Sequence, residues 1–474
     1  MIRTIKTKIL ATIGPATDSK DKLRELIDAG ASAFRLNFSH GNKEYFEDLF
    51  NKINEVCETT KRPIPILQDL QGPKIRIGQL KEPTIEIKTG SQIEITVNEV
   101  IGDENIISCS YSSLVSDASI GNTILIDDGL IKLEVKEIKE HSIICNIIEG
   151  GTLKPKKGMN LPGMKLSTAS LTEQDKENLK FALKYRVDYV ALSFVRYADD
   201  IVELREYMKE LGYSKPIIAK IEKPEAVENF EEILKEADGI MVARGDLGVE
   251  LAPQLVPIVQ KNIIRRCNAV GKLVITATQM LESMINNPIP TRAEASDVAN
   301  AVLDGTDVVM LSGETAAGKF PIDTIKIMKD ILLSTESQTQ FQHKIKYDIP
   351  KSANENFFDA TGRGFTDISN QINATAIVVF THLGRKAKIL AKFNPSAPIY
   401  AFSNSFDTLN ILNLYKGITP FYLEDIDNDE ECLVKAKKYL LNHQLCEKGD
   451  LILFTAGAPI TDKSRKSWIY FDYA

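Results

Sequence analysis

The runs Tyr189-Val-Ala-Leu-Ser-Phe194, Pro216-Ile-Ile-Ala-Lys-Ile221, Gly239-Ile-Met-Val-Ala243, Leu273-Val-Ile-Thr-Ala-Thr278 and Asp307-Val-Val-Met-Leu311 are short and apolar, and helix-period segments lie between them. Strands alternating with helices in this way belong to parallel βα units. Toward the N-terminus, Thr7 to Ile13, Ala33 to Asn37 and Ile64 to Asp69 read as three more strands. The first is followed by a helix with Leu23, Leu26 and Ile27 on one face and Gly30 as its stop. Three strands and five make eight, the number of a (β/α)8 barrel.

The alternation breaks from about Gly72 to Leu166. There, Thr84-Ile-Glu-Ile-Lys88, Ile93-Glu-Ile-Thr-Val97 and Ile131-Lys-Leu-Glu-Val135 alternate with period two, and Asp128-Gly129 signals a hairpin. This predicts a small β-barrel module inserted after barrel strand three, overhanging the C-terminal mouth as a lid. Thr172, with Asp175 three residues on, restarts the helices as an N-cap. After Ser334 the composition turns polar as far as Asn373, the mark of a connector or mobile helical region. Ala374 to Thr381 and Leu451 to Thr455 then read as buried strands, with a helix near Lys386 to Phe393 between them. The expected domains are a barrel of residues 1–71 and 167–340, a lid of 72–166, and a C-terminal α/β domain of 341–474.

A chain of 474 residues suits about three domains at ~150 residues each. Its 65 acidic against 58 basic residues give a charge of −7, which disfavours a basic nucleic-acid binder. No apolar run is long enough to span a membrane, and Ile9 to Ile13 is too short for a secretion signal, so a cytoplasmic location is expected. Six dispersed cysteines without a CxxC, and five histidines without HxH or HExxH, exclude the usual transition-metal patterns. Any catalytic metal should therefore be hard and oxygen-bound, which points to carboxylates.

In a barrel of this kind, active-site residues lie at the C-terminal strand ends. Those ends hold Arg35-Leu-Asn-Phe-Ser-His40, Asp69, Ser193, Lys220-Ile-Glu222, Arg244-Gly-Asp-Leu-Gly248, Thr276-Ala-Thr278 and Ser312-Gly-Glu314. Any one of these could be a solvated loop charge. Together, Glu222 and Asp246 beside Lys220 and Arg35 are the equipment for a divalent ion with a phosphate or a developing enolate. The backbone around Gly245 could form a turn or hold a substrate carboxylate. Gly313-Glu-Thr-Ala-Ala-Gly-Lys-Phe320 nearly matches a phosphate loop, but Phe320 stands where a magnesium-binding hydroxyl is required.

Arg35-Leu-Asn-Phe-Ser-His-Gly41, Ala219-Lys-Ile-Glu222, Met241-Val-Ala-Arg-Gly-Asp-Leu-Gly248, Thr276-Ala-Thr-Gln-Met-Leu-Glu-Ser-Met284, Pro290-Thr-Arg-Ala-Glu294 and Ser312-Gly-Glu-Thr315 resemble the pyruvate kinase family, most closely from Met241 to Phe320. The resemblance implies phosphoryl transfer from phosphoenolpyruvate to ADP, giving pyruvate and ATP. It implies Glu222 and Asp246 as ligands of Mg²⁺ or Mn²⁺, Lys220 and Arg35 as cations on the phosphoryl group, and Ser193 as a substrate contact. Gly245, Asp246 and Thr278 then cradle the substrate carboxylate, with Thr278 also a candidate proton relay to the enolate. Asn37, Arg76 and Lys157 become nucleotide contacts, and the assembly a homotetramer.

Three other readings stay open on the residues: another magnesium-dependent phosphoenolpyruvate or pyruvate barrel enzyme, a non-catalytic sensor, and a phosphate-loop ATPase. The first needs neither the insert nor Arg35, the second would be expected to lose Lys220 or a metal ligand, and Phe320 counts against the third.

Two departures from the family pattern stand out. In Asp69-Leu-Gln-Gly-Pro-Lys-Ile-Arg76, Leu70 and Lys74 occupy positions where many members carry Thr and Glu around a potassium ion. Asn37, Ser39 and Asp69 could still offer oxygens, but an ammonium at Lys74 can stand in for the ion, so independence from potassium is expected. In the C-terminal domain, Thr381-His-Leu-Gly-Arg-Lys386 keeps the Thr, Gly and Arg of an effector phosphate loop but has Leu383 for Ser, and Lys463-Ser-Arg-Lys-Ser-Trp468 lacks the family's Gly and Thr-Asn pattern. A phosphorylated effector at Thr381, Arg385 and Lys386 is the expectation.

Overall fold

A computed structural model of the chain describes residues 5–338, 353–424, 429–458 and 466–474. β1 (Lys8–Thr12), β2 (Ala33–Asn37) and β3 (Ile66–Asp69) come first. The insert follows with β4 (Ile85–Ile87), β5 (Gln92–Thr96), β6 (Ile106–Ser108), β7 (Thr123–Ile126), β8 (Ile131–Ile138), β9 (Ser142–Glu149), β10 (Gly151–Leu153) and β11 (Met159–Asn160). β12 (Tyr189–Leu192), β13 (Ile217–Ile221), β14 (Gly239–Ala243), β15 (Leu273–Ala277) and β16 (Val308–Leu311) complete a closed, all-parallel barrel in which β16 pairs with β1. The expected fold class is the observed one.

Local chemistry explains the helices between these strands. Ser19 caps Lys20–Ala29, and Gly30, at φ 130°, ends it in a conformation that side chains disfavour. Reciprocal Thr172–Asp175 and Thr291–Glu294 capping boxes open Glu173–Ala182 and Arg292–Asp304. Strand residues alternate between a lumen cluster that includes Leu10, Leu67, Ile218 and Met241 and an outer cluster packed under the helices. Two strands stop short of their apolar runs: Phe194 (φ 57°) and Thr278 (φ 66°) turn left-handed at the rim, which runs of β-forming residues do not reveal.

In the insert, β4 pairs with β10, and the other strands form a sheet in the order β11-β7-β8-β9-β5-β6. No continuous ladder closes it among the described residues. Instead, the segment around Arg76 and Ile77 bridges both edges, to Gly158 beside β11 and to Cys109 beside β6. The hairpin turn is confirmed: Asp128 and Gly129 both have positive φ, and Leu130 N–H donates to Asp127 O, as in a type I′ turn. The lid rests on the barrel. Asn160 donates to Glu250 at 2.9 Å, and Lys223 pairs with the same carboxylate oxygen at 2.5 Å. At the hinge, Asp175 accepts the N–H groups of Gln71 and Gly72.

The polar connector contains the helix Ala353–Gln371, and the expected boundary at 340/341 lies outside the described residues. β17 (Ala376–Phe380), β18 (Ile399–Ser403), β19 (Ile418–Tyr422), β20 (Leu451–Ala458) and β21 (Lys466–Tyr473) form a sheet ordered β19-β18-β17-β20-β21, with only β21 antiparallel. This domain docks on the N-terminal end of the barrel, opposite the rim. Tyr189 Oη donates to Ile411 O at 2.6 Å, Asn413 Nδ2 reaches Ser32 O and Pro63 O, and fully buried Leu414 joins the lumen cluster as a floor.

Candidate active site

The rim is organised around Asp69, only 1% exposed at the end of β3. Arg35, from β2, donates to Asp69 Oδ2 through Nε at 2.7 Å, and its Nη2 lies 2.6 Å from the same oxygen. Nη1 reaches Thr12 Oγ1 on β1 at 3.0 Å. Lys220, from β13, stands 3.3 Å from Asp69 Oδ1 and 2.8 Å from Glu222 Oε1, and donates to Ser193 Oγ at 2.7 Å. Five sequence-predicted residues from four neighbouring strand ends thus share one network.

The titration shifts follow from that network. Burial alone would push the Asp69 carboxyl up, but the Lys220 and Arg35 charges hold it below its usual value. Burial likewise works against the Lys220 ammonium, and Asp69 and Glu222 overcome it, leaving its pKa raised. For Glu222, burial wins with help from Asp246, so its carboxyl is raised despite Lys220. Glu222 Oε2 also accepts the Phe194 N–H at 2.9 Å, which is how the left-handed turn at Phe194 is used.

Asp246, exposed in the first turn of the helix Arg244–Glu250, faces the same charges across the mouth. The two carboxylates suit a hard divalent cation: Glu222 is buried and held by an N–H and an ammonium, while Asp246 is open to solvent. Two carboxylates fill only part of the roughly six to eight oxygen positions of a hard divalent cation, leaving the rest to substrate oxygens and water.

Thr278 Oγ1 accepts the Gly245 N–H at 2.7 Å and donates to Ala277 O at 2.6 Å. One arm of the expected carboxylate cradle is therefore occupied by Thr278 itself. A β-branched residue at positive φ is strained, and Arg244 holds it there. Its guanidinium donates to Thr278 O at 2.6 Å and to Gln279 O and Ala277 O at 3.3 Å, and pairs with Asp297 at 2.6 Å. Sequence reading gave Arg244 no task, because backbone carbonyls carry no residue signature.

Lys74 is solvent-accessible at the mouth. Burial and Arg76 lower its pKa, while Asp246 and Glu222 act to raise it. Leu70 is fully buried in the outer core, so its side chain faces away from the site and the position supplies no side chain to a cation there. Asn37 accepts the Ser39 N–H at 3.2 Å. The two module junctions do meet, with Ile77 N–H on Lys157 O, but Lys157 is paired with Asp127 at 2.8 Å, and Arg76 donates to Lys156 O. His40 escaped assignment in the sequence. It lies close enough that burial, Lys74, Arg76 and Arg35 together lower its pKa, which favours a neutral imidazole. The Gly313–Phe320 loop is packed: Glu314 is fully buried and accepts the N–H groups of Leu281 and Ser312.

In the C-terminal domain, Thr381 Oγ1 accepts the Gly384 N–H at 3.0 Å and Arg385 is exposed. Lys386 turns inward, donating to Ala456 O at 2.8 Å and lying 4.8 Å from the Phe365 ring centroid. Burial lowers its pKa to about 8.

Residues 4–325 match the family model for the pyruvate kinase barrel domain, and residues 359–467 match that for the pyruvate kinase alpha/beta domain. A pyruvate kinase of Geobacillus stearothermophilus is 43% identical over 458 residues, which cover 96% of this chain and 78% of the relative. One from Staphylococcus aureus strain MRSA252 is 42% identical over 456 residues, with the same shares. Among solved structures, a pyruvate kinase from Cryptosporidium parvum is similar at a TM-score of 0.92 and 37% identity, covering 99% of this chain and 96% of that one.

Proposed function

The chain belongs to the pyruvate kinase family and transfers the phosphoryl group of phosphoenolpyruvate to ADP, giving pyruvate and ATP; from that premise we propose which residues carry the reaction. The observation that carries the proposal is the network in which Arg35 and Lys220 flank buried Asp69 and Glu222.

Phosphoryl transfer needs in-line positioning and charge neutralisation more than covalent help. Lys220, kept charged by Asp69 and Glu222, opposes the charge on the phosphoryl group and then on the enolate oxygen. Arg35 clamps the phosphate from the β2 side, its fork held by Asp69 and Thr12. Ser193 keeps the Lys220 ammonium in place. Glu222 and Asp246 would hold the Mg²⁺ that the family uses, or Mn²⁺ in its stead, and such an ion would add positive charge against the phosphoryl oxygens.

The N–H groups of Gly245 and Asp246 receive the substrate carboxylate, which requires Thr278 Oγ1 to release Gly245. Thr278, once released, is the last hydroxyl on the proton's route to C3 of the enolate. Asn37, Arg76 and Lys157 bind the nucleotide phosphates, with Lys157 exchanging Asp127 for them. Lys74 takes the place of a monovalent cation. In support, Asp69 already receives Arg35 and Lys220, so a potassium ion would add a further positive charge beside those two and Lys74.

ATP formation from phosphoenolpyruvate and ADP, followed with luciferase, tests the assignment. Pyruvate release without ATP would point instead to another barrel enzyme of the same substrates. In the C-terminal domain, Thr381 and Arg385 are assigned to a phosphorylated effector, and Lys386 joins them only by leaving Ala456 O. Titrating sugar phosphates and AMP against activity, with Arg385→Ala as comparison, decides this, and no response to any of them removes the effector. A homotetramer is the proposed assembly, and an active monomer in light scattering would refute it. Among the described residues no helix is long and apolar enough to cross a membrane. A cytoplasmic setting is the proposed location, supported by six cysteines that are buried and form no disulfide.

A further inference from the structure

A cavity of about 130 Å³ opens between the barrel floor and the C-terminal domain, on the far side of the molecule from the catalytic rim. Its walls come from both domains. Lys6 and Lys272 belong to the barrel side, and Lys388 and Lys416 to the C-terminal side. The space is roughly ten times what a single water requires, so it admits a compact ligand.

The lysines are satisfied in an unusual way. Lys6 Nζ donates to Pro395 O and Ser396 O, Lys272 Nζ to Leu234 O and Lys235 O, and Lys416 Nζ to Val302 O. The Lys388 ammonium lies 4.8 Å from the Tyr415 ring centroid and makes no ion pair among the described residues. The hydrogen bonds of these ammoniums thus go to backbone carbonyls and the Lys388 ammonium to a ring, while carboxylates act on them only through space: Glu336 on Lys6 and Lys416, Asp307 on Lys416, and Asp238, itself paired with Arg205, on Lys272 and Lys388. The remaining charged lining residues cancel elsewhere, Lys392 against Asp359 and Asp304 against Lys261. Two carboxylates are left, and both are taken by backbone donors: Glu336 by the N–H groups of Lys6 and Thr7, and Asp307 by those of Val274 and Lys416. Four ammoniums against two carboxylates leave an excess of two positive charges in a partly buried space, an expensive arrangement without a counter-charge.

We propose that this interdomain cavity is a binding site for a small phosphomonoester dianion, held by Lys388, Lys416 and Lys6 and bridging the barrel to the C-terminal domain. The site is separate from the loop at Thr381 and from the catalytic rim. Burial lowers the pKa of Lys6 to about 8 and lowers those of Lys388 and Lys416, as expected of ammoniums lacking a full counter-charge. A dianion here would tie together two domains that otherwise meet through hydrogen bonds and the Leu414 plug.

The test is calorimetric titration of the full-length protein with glycerol 3-phosphate, the catalytic site being filled with phosphoenolpyruvate and Mg²⁺, and with glycerol as the uncharged control. One saturable equivalent per chain is expected for glycerol 3-phosphate and none for glycerol. Lys388→Gln should weaken binding about tenfold or more, the loss of one charge-assisted contact, while leaving turnover unchanged. Lys416→Gln should do the same; if that variant fails to fold, Lys388→Gln alone decides, because its ammonium rests on the Tyr415 ring with no hydrogen bond to release. Arg385→Ala should bind as the parent does. Absence of saturable binding up to roughly 10 mM, binding that survives Lys388→Gln, or loss of binding in Arg385→Ala would each overturn the proposal.

Discussion

The two ends of the barrel are built from the same eight strands and solve opposite problems. At the C-terminal rim, charged side chains converge in a network and three non-glycine residues, Phe194, Thr278 and Gln279, are held at positive φ. At the N-terminal floor, Leu414 closes the lumen, and Asn410 and Asn413 of the C-terminal domain donate to buried Asp188 and to Ser32 O and Pro63 O of the barrel. The rim stores backbone strain and gathers paired charges where the reaction takes place, and the floor supplies the apolar plug packed beneath them. Substitutions at the two ends should therefore separate activity from stability.

The sharpest separation should come from Lys220→Met, which removes a charge from the rim without opening a cavity. Turnover is expected to fall about a hundredfold to a thousandfold in a protein that still folds, its thermal midpoint lowered by the loss of a partner for Asp69 and Glu222, as measured by ATP formation and calorimetry. A folded variant with near-normal turnover would break the comparison at its centre. Leu414→Ala should do the reverse: a loss of about 2 to 4 kcal/mol in unfolding free energy, with kcat unchanged well below the midpoint. A fall in kcat without a stability change would mean that the floor participates in the reaction.

Arg244→Lys tests whether strain is held by design at the rim. A lysine cannot span Thr278 O, Gln279 O and Asp297 together, so kcat/KM for phosphoenolpyruvate should drop about tenfold while KM for ADP stays put. Equal changes in both would place Arg244 in general loop stability instead. The smallest effect concerns Lys74. In tetramethylammonium buffer, added potassium should change wild-type activity by less than about twofold, whereas Lys74→Glu should become more potassium-dependent. Strong activation of the unaltered protein would show that the ammonium does not replace the ion.

The barrel was legible because its strands are short, mostly apolar runs separated by helix-period segments, and the site because charged residues stand at or near the C-terminal ends of those runs. What escaped had physical reasons. The true ends of β12 and β15 depend on left-handed residues that look like ordinary strand formers. Arg244 acts on carbonyls more than thirty positions away, and Lys157 and Lys386 meet partners in other elements, Asp127 and Ala456, that no local spacing announces. Leu70 is different, since a signal was present: the period-two alternation of β3 sends Leu67 and Asp69 inward and Leu70 outward.

Asp175 opens a barrel helix and, with the same carboxylate, grips the N–H groups of Gln71 and Gly72, 104 and 103 residues earlier in the chain. In kinetic terms this makes the insert a closed loop whose ends must meet before the helix start is complete. Closing the insert's ends and completing this barrel helix are thus one event, and Glu173–Ala182 should exchange its amide protons in step with opening of the hinge.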